Sequence, residues 1–165
     1  MKHHKVVIIT GIAGSGKSTA MAAFEDAGFY CVDNMPMALL PKFLDLPLKN
    51  DPNITGFAFV MDMREKGFLS NYSVTIDILK QKGINTKTIF LDADNDTLIK
   101  RFSQTRRHHP ISGDSTLIES IKAEKKEMLT IKNSSNILID TSNFNPQQLK
   151  KKILSIATDK DSIEK

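Results

Sequence analysis

A glycine-rich loop directly after an apolar run is the feature that most limits how this chain can fold. Residues 11–18 read GIAGSGKS and follow VVIIT. They match the pattern G-x-x-x-x-G-K-[ST] in full, between a predicted strand and a predicted helix, which is the context that the pattern requires. The alternative is a glycine turn that only caps a helix. The complete match favours a loop that binds phosphates at the carboxyl end of a strand in an α/β sheet.

Each residue type in the loop has a chemical reason to be there. Glycines allow backbone angles and close approaches that side chains prevent, so that successive N–H groups can point at one anion. Lys17 can reach the β- and γ-phosphates, and the Ser18 hydroxyl can bind Mg²⁺ with support from Thr19. The predicted nucleotide-binding residues of the loop are Gly11, Ile12, Ala13, Gly14, Ser15, Gly16, Lys17, Ser18 and Thr19.

Beyond the loop, short apolar runs alternate with helical patterns. Nearly continuous apolar runs are typical of parallel strands that are buried on both faces. The apolar runs predict strands at 5–10, 29–32, 56–61, 86–91 and 136–139. The helical patterns predict helices at 17–27, 68–82 and 147–157. Three more helices are predicted to begin at Pro36, after a cap at Asp94, and after a cap at Ser115, the last of them ending at about 131. We therefore expect a three-layer α/β/α sandwich around a mostly parallel five-stranded sheet.

The size and composition fit one domain with an anionic ligand. The 165 residues are enough for one core, which we place at 1–157, with a polar tail at 158–165. No stretch approaches the ~20 apolar residues of a membrane span, so we expect a cytoplasmic protein without membrane contact. The net charge of +4 suits phosphates but does not establish nucleic-acid binding. The single cysteine, Cys31, is predicted to be a buried thiol.

Two aspartates follow buried strands where a Mg²⁺ ligand is expected. Asp62 ends GFAFVMD, and Asp92 lies in TIFLDAD. Asp62 is preferred because Arg64 comes two residues later, where it could contact substrate or phosphate. Asp92 is the second choice, and a solvated turn aspartate is the alternative for both.

Asp33 closes the second strand in FYCVDNMP. It could orient a water, act as a base or bind a substrate hydroxyl. The alternative is a turn formed by Asp33 and Asn34.

Residues 100–114, KRFSQTRRHHPISGD, form the most basic stretch. Arg101 falls on a predicted helix, while Arg106 and Arg107 come where that helix should end before Pro110. Their guanidinium groups could clamp a γ-phosphate, and a generic basic surface patch is the alternative. The later run KAEKKE, residues 122–127, is predicted to be a solvated helix face.

The RapZ/YvcJ family of bacterial P-loop nucleotide-binding proteins resembles this chain over nearly its whole length. The similar stretches are GIAGSGKSTAMAAFEDAGFYCVDNMPMALLPKF, MDMRE, IFLDADNDTLIKRFSQTRRHHPIS and ILIDTSNFNPQQLKKKI. The resemblance implies an adenylate-kinase-like P-loop NTPase sheet and slow hydrolysis of ATP and GTP. It implies ATP contacts at 11–18 and a guanine-nucleotide contact at Asp62, Met63, Arg64 and Glu65.

The resemblance also implies a further C-terminal domain in the full-length protein, with 158–165 as a linker toward it. That domain would bring a protein or RNA partner, and the full-length protein could be a homo-oligomer.

Three functions are compatible with these residues. The first is a regulatory nucleotide-binding domain with weak ATPase and GTPase activity, in which Lys17, Asp33, Asp62, Arg106 and Arg107 act on the phosphates. The second is a small-molecule kinase, in which arginines hold donor and acceptor phosphates and Asp33 is the base. The third is a binding module in which the nucleotide only locks a conformation.

Overall fold

The five predicted apolar runs form one parallel sheet in the computed structural model, which describes residues 5–105 and 116–158. The strands are β1 (Lys5–Gly11), β2 (Tyr30–Asp33), β3 (Gly56–Val60), β4 (Thr86–Asp92) and β5 (Ile137–Asp140). Their order across the sheet is β2-β3-β1-β4-β5, with every neighbouring pair parallel. Each predicted strand boundary lies within one residue of the observed one.

Burial on both faces explains the apolar runs. In β1, Val6 and Ile8 pack into one hydrophobic cluster, and Val7 and Ile9 pack into the cluster on the opposite face. Successive side chains of a strand point to opposite faces, so a strand covered on both sides needs apolar residues at every position.

Helices cover both faces and make three layers. They are α1 (Lys17–Asp26), α2 (Leu40–Leu44), α3 (Phe68–Gln81), α4 (Asn95–Thr105), α5 (Leu117–Glu127), α6 (Leu129–Ser134) and α7 (Pro146–Thr158). Side chains of α1 and α7 pack into one cluster, whereas those of α2 to α6 pack into the other. The expected α/β/α sandwich is confirmed.

Helix ends differ from the prediction in three places. The N-cap of α5 is Thr116, whose hydroxyl accepts from the Glu119 N–H while the Glu119 carboxylate accepts from the Thr116 N–H. Ser115, the predicted cap, lies outside the described residues, and the residue three positions after it is Ile118, which cannot complete such a box. The predicted long helix is two helices that meet at Met128. Pro36 is extended and precedes a short 3-10 turn, Met37–Leu39, rather than opening a longer helix.

The carboxyl end of β1 is crowded against its neighbour. Gly11 has a φ of 148°, and a Cβ atom there would overlap the backbone of Leu91 in β4. From β1 the chain proceeds to β2 and β3 on one side and later to β4 and β5 on the other. Ligands of open α/β sheets bind in the crevice at such a switch point.

Among the helices of the described residues, none has the length and apolar character needed to cross a membrane.

Candidate functional site

The glycine loop leaves β1 and opens α1, as the sequence predicts. Gly14 and Gly16 have φ values of 86° and 113°, in the left-handed region that side chains disfavour. The Ile12 N–H donates to the Leu91 carbonyl at 3.1 Å, and the Ser15 N–H turns back to the Ile12 carbonyl at 3.0 Å. These bonds fix the two ends of the loop's first turn.

Four N–H groups of the loop are bonded to no acceptor in the part of the chain that the structure describes. They belong to Gly14, Gly16, Lys17 and Ser18. The last two also lie in the first turn of α1, where intrahelical acceptors do not exist and the helix dipole is positive. Such N–H groups make an anion-binding site.

The Lys17 ammonium lies under this loop. Its Nζ donates to the carbonyls of Gly11 and Ile12 at 3.1 and 3.2 Å, and it is 3.5 Å from Asp62 Oδ2. Burial lowers the pKa of Lys17, while the carboxylates of Asp62 and Glu124 act in the opposite direction. The ammonium is therefore held rigidly, with two of its three donors on the loop itself.

Asp62 joins Lys17 to Arg64. The Arg64 Nε is 2.9 Å from Asp62 Oδ1 and 3.0 Å from Oδ2, and the Arg64 N–H also donates to Oδ1. Burial opposes ionisation of Asp62, but Lys17 and the Arg64 bonds outweigh it and lower its pKa. The structure thus brings Asp62, the preferred metal-ligand candidate, to the phosphate loop.

Asp92, the second candidate, has different partners. Its carboxylate is 2.9 Å from the Lys132 ammonium and 3.7 Å from that of Lys125. Asp94 caps α4 as predicted, since its Oδ1 accepts from the Thr97 N–H at 2.8 Å. No group of three or more Asp, Glu, His or Cys side chains suited to a metal occurs within residues 5–105 and 116–158.

Arg101 of α4 and Thr141, just after β5, hold carbonyl groups of the loop in place. We call this pair of residues the brace. Arg101 Nη1 donates to the Gly14 carbonyl at 3.0 Å and to Thr141 Oγ1 at 2.9 Å, and its Nη2 donates to the Thr141 carbonyl at 2.6 Å. The Thr141 hydroxyl in turn donates to the Ser15 carbonyl at 2.7 Å. Arg101 is on the predicted helix, but its observed contacts hold the loop.

Glu124 is a site residue that the sequence reasoning missed. It was predicted to lie on a solvated helix face, yet it is 1% exposed, and both carboxylate oxygens accept from the Ala13 N–H at 3.1 and 3.0 Å. The signal was its place on the apolar side of α5 and α6, where Ile121, Met128 and Ile131 are also buried. That spacing of three and four residues marks the buried face of a helix.

The remaining predicted residues lie around the same edge. Ser18 is exposed and Thr19 half-buried at the start of α1. Asp33 ends β2 and acts electrostatically on Arg64, whose Nη2 also donates to Asn34 Oδ1 at 3.1 Å.

In the 62–65 segment, Met63 packs against the core, and Glu65 accepts from the Gly67 N–H at 2.8 Å. Arg106 and Arg107 lie outside the described residues.

Sequence comparison identifies close relatives of the chain. A family model described as the RapZ-like N-terminal domain matches residues 4–160. A nucleotide-binding protein of Desulforapulum autotrophicum is 59% identical over 157 residues, and one of Desulfosudis oleivorans is 48% identical over 155. These alignments cover 95% and 94% of this chain but 54% and 53% of the relatives. The chain therefore spans about half the length of the curated relatives it matches.

Solved structures with the same fold include several kinases. A shikimate kinase from Bacteroides thetaiotaomicron superimposes with a TM-score of 0.59 at 14% identity, covering 90% of this chain and 94% of that one. A gluconokinase from Sinorhizobium meliloti gives a TM-score of 0.55 at 13% identity, covering 94% and 92%. At such low identity these likenesses establish the P-loop kinase fold alone.

Proposed function

Because the chain belongs to the family of RapZ-like N-terminal domains, we propose that it binds ATP and GTP with Mg²⁺ at the Gly11–Ser18 loop and hydrolyses them slowly. The observation that carries this proposal is the set of four unbonded N–H groups above a fixed lysine ammonium. Several unbonded N–H groups of one loop beside a cation fit a polyphosphate better than a neutral ligand.

The chain also has oxygen atoms suited to Mg²⁺. The Ser18 hydroxyl is exposed at the start of α1, and Asp62 lies beside Lys17. Hard oxygen ligands of this kind are what Mg²⁺ takes when nucleotide phosphates complete its coordination. When bound, the ion would neutralise charge on the phosphates.

The described arginines already have partners within the chain. Arg64 is bonded to Asp62 and Asn34, and Arg101 is bonded to backbone carbonyls. Hydrolysis is helped by a cation aimed at the departing phosphate. We assign that role to Arg106 and Arg107, and Asp33 remains our candidate for orienting the attacking water.

The finer parts of the proposal rest on the family. We place the guanine-nucleotide contact at residues 62–65 and the protein or RNA partner on a C-terminal domain of the full-length protein. We also propose that the full-length protein forms homo-oligomers. Since ATP and GTP are the proposed ligands, the cytoplasm is the location that we propose.

A small-molecule kinase is the second candidate. Arg64 is 49% exposed beside Asp33 and Asn34 at the same edge of the sheet, which leaves a cationic group with room for an acceptor. A kinase turns over its triphosphate much faster with its acceptor than without it. Turnover measured with a panel of sugars and nucleosides separates the two candidates.

Substitution of Lys17 tests the binding site. In Lys17→Ala, calorimetry should show that Mg-ATP and Mg-GTP bind about 10- to 100-fold more weakly. The reason is the loss of one hydrogen bond to a charged group, which contributes roughly 1.5–3 kcal/mol. Turnover should fall as well, because the same ammonium is expected to contact the transferred phosphate.

Lys122→Ala is the matched control, since Lys122 is exposed on α5. It should bind nucleotide like the parent chain. Equal affinity of the parent and Lys17→Ala would show that the nucleotide binds elsewhere.

A further inference from the structure

The Glu124 carboxylate holds an N–H group of the phosphate loop. Arg101 and Thr141 contact the loop's carbonyl oxygens, which are the groups that a phosphate does not use. Glu124 differs from them because it takes the N–H of Ala13 with both of its oxygens. N–H groups of this loop are what cradle phosphates. Glu124 therefore makes the kind of contact that a phosphate oxygen would make.

Glu124 also acts through its charge on the cations at the loop. Its charge acts on Lys17 and on Arg64. A lysine at this position of the motif reaches the β- and γ-phosphates. A carboxylate at 1% exposure beside that lysine has little water to screen its repulsion of a second anion. Glu124 and the distal phosphates of a nucleotide thus compete for the Ala13 N–H, and the Glu124 charge opposes a second anion at the same place.

The position of Glu124 is set by its helix. Lys125, the next residue, donates from Nζ to the Ala93 carbonyl at 2.7 Å, just beyond β4. Ser120, one turn earlier on the same face of α5, is fully buried, and its hydroxyl has no hydrogen-bond partner among the residues that the structure describes. Removal of the Glu124 carboxylate from the loop therefore requires α5 to shift or the side chain to rotate within a packed layer.

We propose that Glu124 occupies the place of a terminal phosphate in the nucleotide-free domain, so that a triphosphate must displace it while a diphosphate leaves it at Ala13. This inference rests on the proposed function, because it needs the nucleotide at the same loop. It makes Glu124 the residue that sets the preference between tri- and diphosphate. It also makes α5 the helix that responds when a triphosphate is bound.

The test compares Glu124→Gln with the parent chain by calorimetry, using Mg-ADP and the Mg complex of a non-hydrolysable ATP analogue. Glutamine keeps an oxygen that can accept from Ala13, so the fold has a replacement for the bond. Loss of the negative charge should raise affinity for the ATP analogue by about ten-fold relative to ADP. Glu127→Gln, an exposed change on the same helix, should leave the ratio unchanged.

The outcomes separate this inference from the proposed function. If neither nucleotide binds the parent chain or Glu124→Gln, the proposed function fails and this inference fails with it. If both bind but Glu124→Gln changes the two affinities equally, or lowers affinity for the analogue, only the inference about Glu124 fails. Amide hydrogen exchange of the parent chain gives a reading that needs no variant. The α5 amides should exchange faster with the ATP analogue and not with ADP, and equal exchange in both states would overturn the response of α5 that the proposal includes.

Discussion

Asp62 connects two cations at the loop through a carboxylate that is 5% exposed. Lys17 and Arg64 both contact it, and burial of the group is compensated by these partners. The net effect lowers the pKa of Asp62 below its ordinary value of 3.8. A carboxylate whose pKa is lowered by folding stabilises the folded state above its unfolded pKa, and that stabilisation is lost as the pH falls through the folded pKa.

Asp62→Asn should therefore destabilise the domain at pH 7 by about 2 kcal/mol, because buried hydrogen bonds to charged groups are lost. The difference from the parent chain should shrink as the pH falls below 3.8. Urea unfolding of both proteins at pH 7, 5 and 3.5 measures this difference in the free energy of unfolding.

Asp45→Asn is the control for this substitution. Asp45 is 58% exposed and pairs with Lys82 at 3.2 Å on the surface, where ion pairs contribute little. A stability difference for Asp62→Asn that does not change with pH would contradict the assigned role of its charge.

Residues inside the motif were predictable, and residues that reach it from elsewhere were less so. The roles of Lys17 and the glycines follow from a motif of residues adjacent in sequence. The position of Asp62 could be inferred because the carboxyl ends of buried parallel strands lie along the same edge of the sheet. The burial of Glu124 could be inferred from its spacing to apolar neighbours, but its role at the loop could not. Its role depends on a contact with Ala13, 111 positions earlier in the chain.

At the scale of elements, the strands were predictable because each is buried on both faces and reads as an apolar run. The break between α5 and α6 was not, because both halves continue one apolar stripe through Ile121, Met128 and Ile131. The contacts that the brace makes with the loop were also not predicted. Arg101 looked like a phosphate ligand, whereas its donors meet backbone carbonyls.

The brace can be tested at Thr141, which is fully buried. Thr141→Val removes the hydroxyl that bonds Ser15 and Arg101 and leaves both groups without that partner. The free energy of unfolding should fall by about 1–3 kcal/mol. Nucleotide affinity should fall too, since the loop loses one of its outer supports.

Thr130→Val is a matched change at an exposed position of α6 and should affect neither quantity. Chemical denaturation and calorimetry on the two variants provide the comparison. Unaltered nucleotide affinity in Thr141→Val would show that the loop keeps its shape without the brace.

At the scale of the molecule, one sheet lies between two hydrophobic layers, and the described residues of the site lie at the carboxyl ends of its strands. A ligand that binds only the folded state at that edge stabilises the entire domain. At 100 times its dissociation constant, Mg-ATP or Mg-GTP should add about 2.7 kcal/mol to the free energy of unfolding. For a chain of 165 residues this raises the melting temperature by about 5–10 °C.

Differential scanning calorimetry measures this shift. The parent chain should show it with each nucleotide, whereas Lys17→Ala, which is expected to bind about 10- to 100-fold more weakly, should gain only about 0.4–1.4 kcal/mol at the same concentrations. A shift of equal size in both proteins would place the ligand away from the loop.

The brace between Thr141 and Ser15 has a consequence for biosynthesis. The two residues are 126 positions apart, so a ribosome makes the loop well before it makes the threonine that supports it. At about 5–20 residues per second, the interval is roughly 6–25 s. For that time the nascent chain carries the complete glycine motif without Thr141, and the loop gains this outer support only when the last part of the sheet has emerged.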